Sequence, residues 1–456
     1  MDFYRGSRYI KCAAIAVNSV GVSFLPGSRR LSLIGSTFRY LWCLAPTFTI
    51  FLATAAGGQQ DWPQWRGPQR DGTSDETGIV DAFAESGPSL LWQAEGLGKG
   101  YSSIVIAARR IFTLGRRGEA EQLIALDAGN GQEIWSVDIG TGDHSNGTPT
   151  VDGNRVYAIG LKGDLICADV RSGKILWKKN FGDDFGGQMM SGWGFSESPL
   201  IDGNKLICTP GAQQAMLVAL DKRSGKEIWR AAEPEFGERG ANGAGYSSVV
   251  ISHAAGVKQY IQLTGRGLIG VRARDGEFLW GYNDVANSTA NISTPIVSGN
   301  HVFCSTGYGT GAALLKLVPD GQEVLAEEVY FLKPKTFQNH HGGMILVDDH
   351  IYAGAQHNEG FPICIELATG DIAWGGKERG PGSGSAAITY VDNKLIFRYQ
   401  DGVVAFIDAT DKGYRLLGSF MPEYQEDKSW AHPVVLNGCL YLREQDRIMC
   451  YNVRQL

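Results

Sequence analysis

One short sequence pattern recurs along the chain at intervals of roughly 40 to 50 residues, a period typical of stacked supersecondary units. An apolar strand ends on an acidic residue, a glycine-containing turn follows, and tryptophan stands eight positions after the acid. The spacing is kept by Asp127/Trp135, Asp169/Trp177, Asp221/Trp229 and Glu366/Trp374, and without the acid by Arg272/Trp280. The units lack helical periodicity, so the pattern predicts an all-β repeat architecture.

Each unit opens on a small or polar residue, runs through an apolar hairpin with an Asn/Asp/Gly turn, and adds a third and a fourth strand. Eight units begin near Ser102, Thr148, Ser198, Ser247, Thr294, Met344, Ala386 and His432. This predicts an all-β, eight-bladed β-propeller of four-stranded antiparallel blades. The last unit has no room for a fourth strand, whereas SLLWQ around Trp92 is an unpaired strand upstream. We therefore predict that this N-terminal strand completes the last blade, and that the recurrent tryptophan packs between neighbouring blades.

The N-terminal region predicts export. Arg29, Arg30 and Arg39 precede an apolar run at 41–56, in which Ala53 and Ala55 suit a cleavage site. We expect residues 1–56 to be a signal peptide, 57–87 an extension packing on the propeller, and 88–456 the propeller itself. The protein would then be periplasmic or associated with the cell envelope, with no transmembrane domain after cleavage; a retained anchor is the alternative. The WPQWRGP stretch in the extension is interpreted as a clamp over the closure blade.

Charge and cysteine content restrict the partners. The net charge is −6, and residues 1–58 carry +5, so the rest of the chain carries about −11. Such an acidic domain is a poor binder of phosphate backbones, which argues against nucleic acid. No cysteine or histidine spacing fits a zinc site. Cys439 and Cys450 could face each other across a tight hairpin, as a disulfide or as free thiols.

In a propeller, the loop before each innermost strand lines the central channel and one rim. These axial loops are GKGYSS, GDHSNGT, SGWGFSES, GANGAGYSS, NSTANIST, QNHHGG, GPGSGS and KSWAHP. They hold half of the eight histidines, as convergent binding chemistry would require. The candidate catalytic residues are Glu197, His341 and His432; the candidate cofactor contacts are Trp193, Trp430, Arg266, Asn242, His144 and His340; the candidate metal ligands are Glu197 and Asn287. The structural alternative is that these groups only satisfy loop and backbone hydrogen bonds.

The segments ADVRSGKILW and ALDKRSGKEIW resemble the repeat of pyrroloquinoline-quinone (PQQ)-dependent dehydrogenases and their non-enzymatic relatives, and the resemblance extends across essentially the whole of residues 88–456. The stretch DWPQWRGPQRDGTSDETG is similar to that of an exported bacterial group with the same propeller. The resemblance implies the propeller fold and a possible PQQ cofactor with Ca²⁺. The chain departs from the dehydrogenases because it has no two adjacent cysteines and no contiguous match to their metal-binding motif.

Three functions remain open on these grounds. The favoured one is a non-catalytic binding or assembly module, similar in kind to the scaffold lipoprotein of the outer-membrane barrel-assembly machine. Its partner would be a protein, a small molecule or a carbohydrate at the propeller rim. The first alternative is a PQQ-dependent oxidoreductase acting on an alcohol or sugar. The second is a propeller that binds or cleaves polysaccharide.

Overall fold

Eight β-sheets make up almost all the secondary structure of the computed structural model, which describes residues 61–81, 83, 86–321 and 323–455. The predicted signal peptide at 1–56 lies outside the described residues. One α-helix at Phe181–Phe185 and one 3₁₀ turn at Ala254–Gly256 interrupt the strands. In the described part of the chain no helix has the length and apolarity needed to cross a membrane.

The blades are numbered in chain order, and the strands of each are given from the innermost outward. Blade 1 comprises Val105–Ala107, Arg110–Arg117, Ala120–Asp127 and Glu133–Thr141; blade 2, Thr150–Asp152, Arg155–Ile159, Asp164–Asp169 and Ile175–Asn180; blade 3, Leu200–Asp202, Lys205–Cys208, Leu217–Asp221 and Glu227–Ala231. Blade 4 comprises Val250–Ser252, Gln259–Thr264, Gly267–Arg272 and Phe278–Tyr282; blade 5, Ile296–Ser298, His301–Thr306, Gly311–Asp320 and Glu323–Leu332; blade 6, Met344–Val347, His350–Ala355, Phe361–Glu366 and Ile372–Gly375. Blade 7 comprises Ala386–Val391, Lys394–Tyr399, Val404–Asp408 and Leu416–Phe420, and the short strand Thr73–Ser74 pairs in parallel with the innermost of these.

Blade 8 closes the ring as the sequence predicts. Its three C-terminal strands are Val434–Leu436, Cys439–Glu444 and Arg447–Asn452, and its outermost strand is Leu90–Ala94 from the opposite end of the propeller. Trp92 lies opposite Cys450 in this pairing. The eight-bladed architecture with N-terminal closure is therefore confirmed. Both ends of the sheet array are joined, and closure leaves no open face between blades.

The recurrent tryptophans pack between blades. Trp135 of blade 1 covers Gly173 in the turn of blade 2, and a Cβ at this glycine would lie 2.6 Å from the indole ring. Trp177 covers Gly225 of blade 3 in the same way, at 2.8 Å. Both glycines have φ near +70°, a backbone conformation that favours glycine. Each turn therefore requires glycine for two reasons: the positive φ and the lack of space for a Cβ. Blade 5 lacks the tryptophan, and there the Tyr330 hydroxyl donates to a carbonyl of blade 6 at 2.8 Å.

The segment 62–74, which we call the axial plug, crosses the propeller axis. It contacts the innermost strands, or the residues just before them, of six blades: Trp62 with Ile106, Pro63 with Val151, Arg70 with Ser198 and Pro199, Arg66 with Met344, Thr73 with Tyr390, and Ser74 with Val435. Just beyond it, Glu76 accepts backbone N–H bonds from Asn437 and Gly438. The interpretation as a clamp over the closure blade was too narrow, because five other blades hold the segment too.

All six cysteines of the described chain are free thiols. Cys439 lies opposite Asn452 and Cys450 opposite Tyr441, so the two cysteines are diagonal neighbours on adjacent strands. Their side chains hydrogen-bond, and this bond lowers the pKa of Cys439 to about 7. Cys167, Cys208, Cys304 and Cys364 occupy buried core positions, as small hydrophobes do.

Candidate functional site

A cavity of about 420 Å³ lies on the propeller axis. Seven of the eight axial loops contribute to its lining; GPGSGS does not. Trp65 and Arg66 of the axial plug also line it, so the chain's own N-terminal segment closes one end of the channel. The volume falls within the range of about 300–1,000 Å³ that is usual for small-molecule sites. The plug thus turns an open channel into a blind cavity.

A chain of hydroxyls connects blades 1 to 5 around one side of the cavity. The backbone N–H groups of Ser103, Thr148, Ser198 and Ser248 each donate to the hydroxyl that opens the next blade, at 3.1, 3.1, 3.0 and 3.4 Å. The four acceptor hydroxyls, which all line the cavity, are those of Thr148, Ser198, Ser248 and Thr294. None of the four donates to an acceptor within the described chain, so each keeps a proton to offer to a ligand. The Ser or Thr hydroxyl at the start of each of these units therefore links two blades as an acceptor and keeps its own proton free to donate.

Histidine and aromatic rings form the opposite wall. His340 is fixed by Ser385 Oγ at 2.7 Å from Nδ1 and by the Tyr308 hydroxyl at 3.2 Å from Nε2. Ring centroids then follow one another from His340 to His341 at 4.5 Å, from His341 to Trp430 at 4.6 Å, and from Trp430 to Tyr101 at 4.8 Å. Such spacings are those of favourable edge and offset aromatic contacts. The wall is continuous from blade 6 through blade 8 to blade 1.

Three of the histidines that line the cavity have strongly lowered pKa values; His432 is buried, and His340 and His341 are half-buried. Burial lowers the pKa of His340 to about 2 and the pKa of His341 and His432 to about 3, with neighbouring cationic groups adding to the effect. His341 Nε2 and His432 Nδ1 have no hydrogen-bond partner in the described chain. Each neutral imidazole can donate from one nitrogen and accept at the other.

Three cations face the cavity. Arg66 is 4% exposed, and burial lowers its pKa to about 10, so it stays protonated at neutral pH. Lys99 and Lys428 are exposed at the mouth, and the Lys428 ammonium lies 4.9 Å from the centre of the Trp430 ring. Among the described residues, none of the three has a carboxylate within 4 Å, and no Asp or Glu lines the cavity. The site is positive although the whole protein is acidic.

Six of the candidate site residues come together in this cavity: His144, His340, His341, His432, Trp193 and Trp430. The other four do not line it. Glu197 is buried behind the wall, where it accepts from Thr209 N and Oγ1 at 2.7 and 2.8 Å, and burial raises its pKa to about 8.

The remaining three candidates hold loops. Arg266 Nε donates to Asn242 Oδ1 at 2.8 Å, and Asn287 Oδ1 accepts from the backbone of its own loop. Glu197 and Asn287 thus have separate hydrogen-bond partners. Within the part of the chain that the structure describes, no group of three His, Cys, Asp or Glu side chains could hold a metal ion.

Several lining residues were not among the candidates, namely Trp65, Arg66, Lys99, Tyr101, Tyr308, His357 and Lys428. Trp65 and Arg66 lie outside the repeat, in a stretch rich in Trp, Arg and Pro that matches no blade strand. The absence of a match to any blade strand could have identified these residues, since an aromatic-rich segment outside the blades has to pack against another part of the propeller. His357 follows the second strand of blade 6, outside the axial loops.

An eight-bladed propeller with the acid-to-tryptophan repeat defines the broad class of PQQ-repeat propellers. Residues 119–376 match the family described as outer membrane protein assembly factor BamB, and the chain belongs to this family. The BamB protein of Kangiella koreensis is 25% identical over 191 residues, which span 41% of this chain and 40% of that protein. The match therefore covers less than half of that relative's length.

The fold also occurs in solved structures of dehydrogenases. Quinohemoprotein alcohol dehydrogenase from Comamonas testosteroni superposes with a TM-score of 0.60 at 13% identity, over 87% of this chain and 81% of that one. Quinohemoprotein alcohol dehydrogenase ADHIIG from Pseudomonas putida HK5 gives 0.59 at 14% identity, over 87% and 80%. Similarity at this level of identity shows a shared fold.

Proposed function

We propose that this protein is an exported binding module of the cell envelope, that it holds a small ligand in the axial cavity, and that it does no quinone-dependent redox chemistry. The observation that carries the proposal is the blind cavity itself. It combines a floor from the axial plug, a row of hydroxyl donors, an aromatic wall and three cations without partner carboxylates. Convergent polar groups in one preformed, partly apolar cavity are what small-ligand recognition requires.

The donor set does not fit PQQ with Ca²⁺. Calcium takes six to eight oxygen ligands, among which carboxylates supply the charge. No Asp or Glu lines this cavity, and its charged groups are Arg66, Lys99 and Lys428. A divalent cation would be repelled by these three groups. The candidate ligands Glu197 and Asn287 have hydrogen-bond partners elsewhere in the fold.

A protein partner is the second candidate function. The match to the outer membrane protein assembly factor family runs through most of blades 1 to 6 and supports an assembly role in the envelope. Trp193, which is 52% exposed at the cavity rim, offers an aromatic anchor of the kind found in protein interfaces. Periplasmic location follows from the predicted signal at 1–56 and is part of the proposal.

The test uses the purified protein and a panel of neutral, acidic and basic sugars, amino acids and aromatic acids, with thermal unfolding as the readout. A ligand that binds only the folded state raises the Tm in a saturable way. We expect at least one class to do so for the wild type and not for Trp430→Ala, while Trp177→Phe, an inter-blade change, keeps the response. PQQ with Ca²⁺ is tested alongside, with dye reduction by alcohols. Saturable, Ca²⁺-dependent quinone binding with turnover would overturn the proposal, as would no response to any compound.

A further inference from the structure

The cavity is chemically two-sided. Blades 2 to 5 present the four hydroxyls that each have a free proton, and none of the described Asp, Glu, Lys or Arg side chains of these blades lines the cavity. The plug and the loops before blades 1 and 8 present Arg66, Lys99 and Lys428. One side thus suits neutral oxygen atoms and the other suits an anion.

The cationic side also carries aromatic surface. Tyr101 and Trp430 have ring centroids 4.8 Å apart with an interplanar angle of 39°, and Lys428 lies 4.9 Å from the Trp430 centroid. The Trp430 indole is held by a 2.8 Å bond from Nε1 to Gln400 Oε1. A ring whose face packs on these aromatics would place its acidic substituent beside the lysines. Its remaining polar atoms would point across the cavity towards the hydroxyls.

We propose that the axial cavity binds a sugar acid, meaning a polyhydroxylated ring that carries one carboxylate. The carboxylate is received by Arg66 and the two lysines, the ring packs on Tyr101 and Trp430, and the sugar hydroxyls accept from Thr148, Ser198, Ser248 and Thr294. This inference rests on the proposed function, since it names the ligand class of the same cavity.

Two simpler ligands fit less well. A planar aromatic acid would use the cations and the aromatic wall but leave four hydroxyl donors facing apolar carbon, which costs the free energy of unmet hydrogen bonds. A neutral sugar would use the hydroxyls and leave the buried Arg66 and the two lysines at the mouth without a counter-anion. Only a molecule with both chemistries satisfies both sides of the cavity.

The experiment measures the affinity of the purified protein for glucuronate, galacturonate, glucose, glucosamine and benzoate by isothermal titration calorimetry. We expect the uronates to bind at least tenfold more tightly than glucose, glucosamine or benzoate, and rising NaCl to weaken them. Lys428→Met, which keeps the aliphatic stem and removes the charge, should weaken uronate binding at least tenfold without changing the Tm of the free protein. Lys428→Arg should restore most of it.

Lys174→Met is the matched control, because Lys174 is exposed in the turn of blade 2 and does not line the cavity. Lys99 is a less clean probe, since it also borders an acidic depression with Glu426, Asp427 and Asp446. Equal affinity for glucose and glucuronate would overturn the inference, and so would equal affinity for benzoate. If another compound class of the panel binds and the uronates do not, the ligand class is wrong and the binding function stands. If nothing in the panel binds, both fail.

Discussion

Replacing Trp229 by alanine tests whether the recurrent tryptophan holds neighbouring blades together. Trp229 is 8% exposed, and its ring covers Gly276 in the turn of blade 4, where a Cβ would lie 2.6 Å from the indole. A buried tryptophan removes about 150–250 Å² from water, which at about 25 cal/mol per Å² corresponds to roughly 4–6 kcal/mol as an upper bound. Neighbouring side chains partly fill the space left by the indole, which makes the loss smaller than this upper bound. We therefore expect Trp229→Ala to lower the free energy of unfolding by about 3–5 kcal/mol.

Trp374 provides a matched comparison because it is also 8% exposed but makes a hydrogen bond. Its Nε1 donates to the Thr410 carbonyl of blade 7 at 2.6 Å, whereas Trp229 Nε1 has no partner in the described chain. In blade 4 the Ala273 carbonyl, which corresponds to the Val170 and Lys222 carbonyls that accept from Trp135 and Trp177, accepts instead from Lys205. Trp→Phe keeps a ring and removes the N–H, so Trp374→Phe should cost about 1 kcal/mol more than Trp229→Phe.

Urea unfolding followed by far-UV circular dichroism measures both effects, because the signal comes from the strands and not from the replaced indole. The two alanine variants and the two phenylalanine variants are compared with the wild type at one protein concentration. A loss below about 1 kcal/mol in Trp229→Ala would refute inter-blade packing as the role of the repeat, since a surface substitution costs no more than about 0.5 kcal/mol. A larger loss in Trp229→Phe than in Trp374→Phe would refute the hydrogen-bond argument.

Three further predictions concern buried polar groups and thiols. Because its bond with Cys450 lowers the pKa of Cys439 to about 7, we expect a thiol reagent at pH 8 to modify Cys439 first, and Cys439→Ser to abolish that rapid phase. Burial raises the pKa of Glu197 to about 8, so the folded state favours the protonated carboxyl. This preference stabilises the folded state fully at pH values below the unfolded pKa, and the stabilisation is lost as the pH rises towards 8. The Tm should therefore fall between pH 5 and 8, and less so in Glu197→Gln. Arg70→Met leaves the Ser198 carbonyl without its donor, whereas the Pro199 carbonyl keeps the hydrogen bond from Thr150 Oγ1; the free energy of unfolding should fall by about 1–3 kcal/mol, read from the urea midpoint.

The fold was predictable because its determinants are local and repeated. The acid at Asp169 or Asp221 accepts backbone N–H bonds within its own turn, the glycine permits positive φ, and the tryptophan reaches the next turn along the chain. Each of these interactions recurs at fixed spacing, so sequence alone reveals it. Closure by the strand around Trp92 followed from counting strands, since the last unit lacked one.

The site was predictable only as far as the axial loops define it. The candidates His340, His341, Trp193 and Trp430 lie in these loops, and they line the cavity because the start of each innermost strand faces the axis. Glu197 lies in an axial loop as well but points away from the cavity, towards Thr209. Neighbouring residues of an extended segment alternate direction, and periodicity alone does not say which member of Ser196, Glu197 and Ser198 turns inward.

The axial plug was beyond prediction for a different physical reason. Its arginines bind backbone carbonyls: Arg66 that of Met344, and Arg70 those of Ser198 and Pro199. Carbonyl groups are present at every position, so no sequence pattern marks those that an arginine will use. The segment is held by blades far apart in the chain, and it can take its place only where the ring is closed. The same closure that brings the first strand to the last blade therefore also creates the binding cavity, because without the plug the axis would be an open channel.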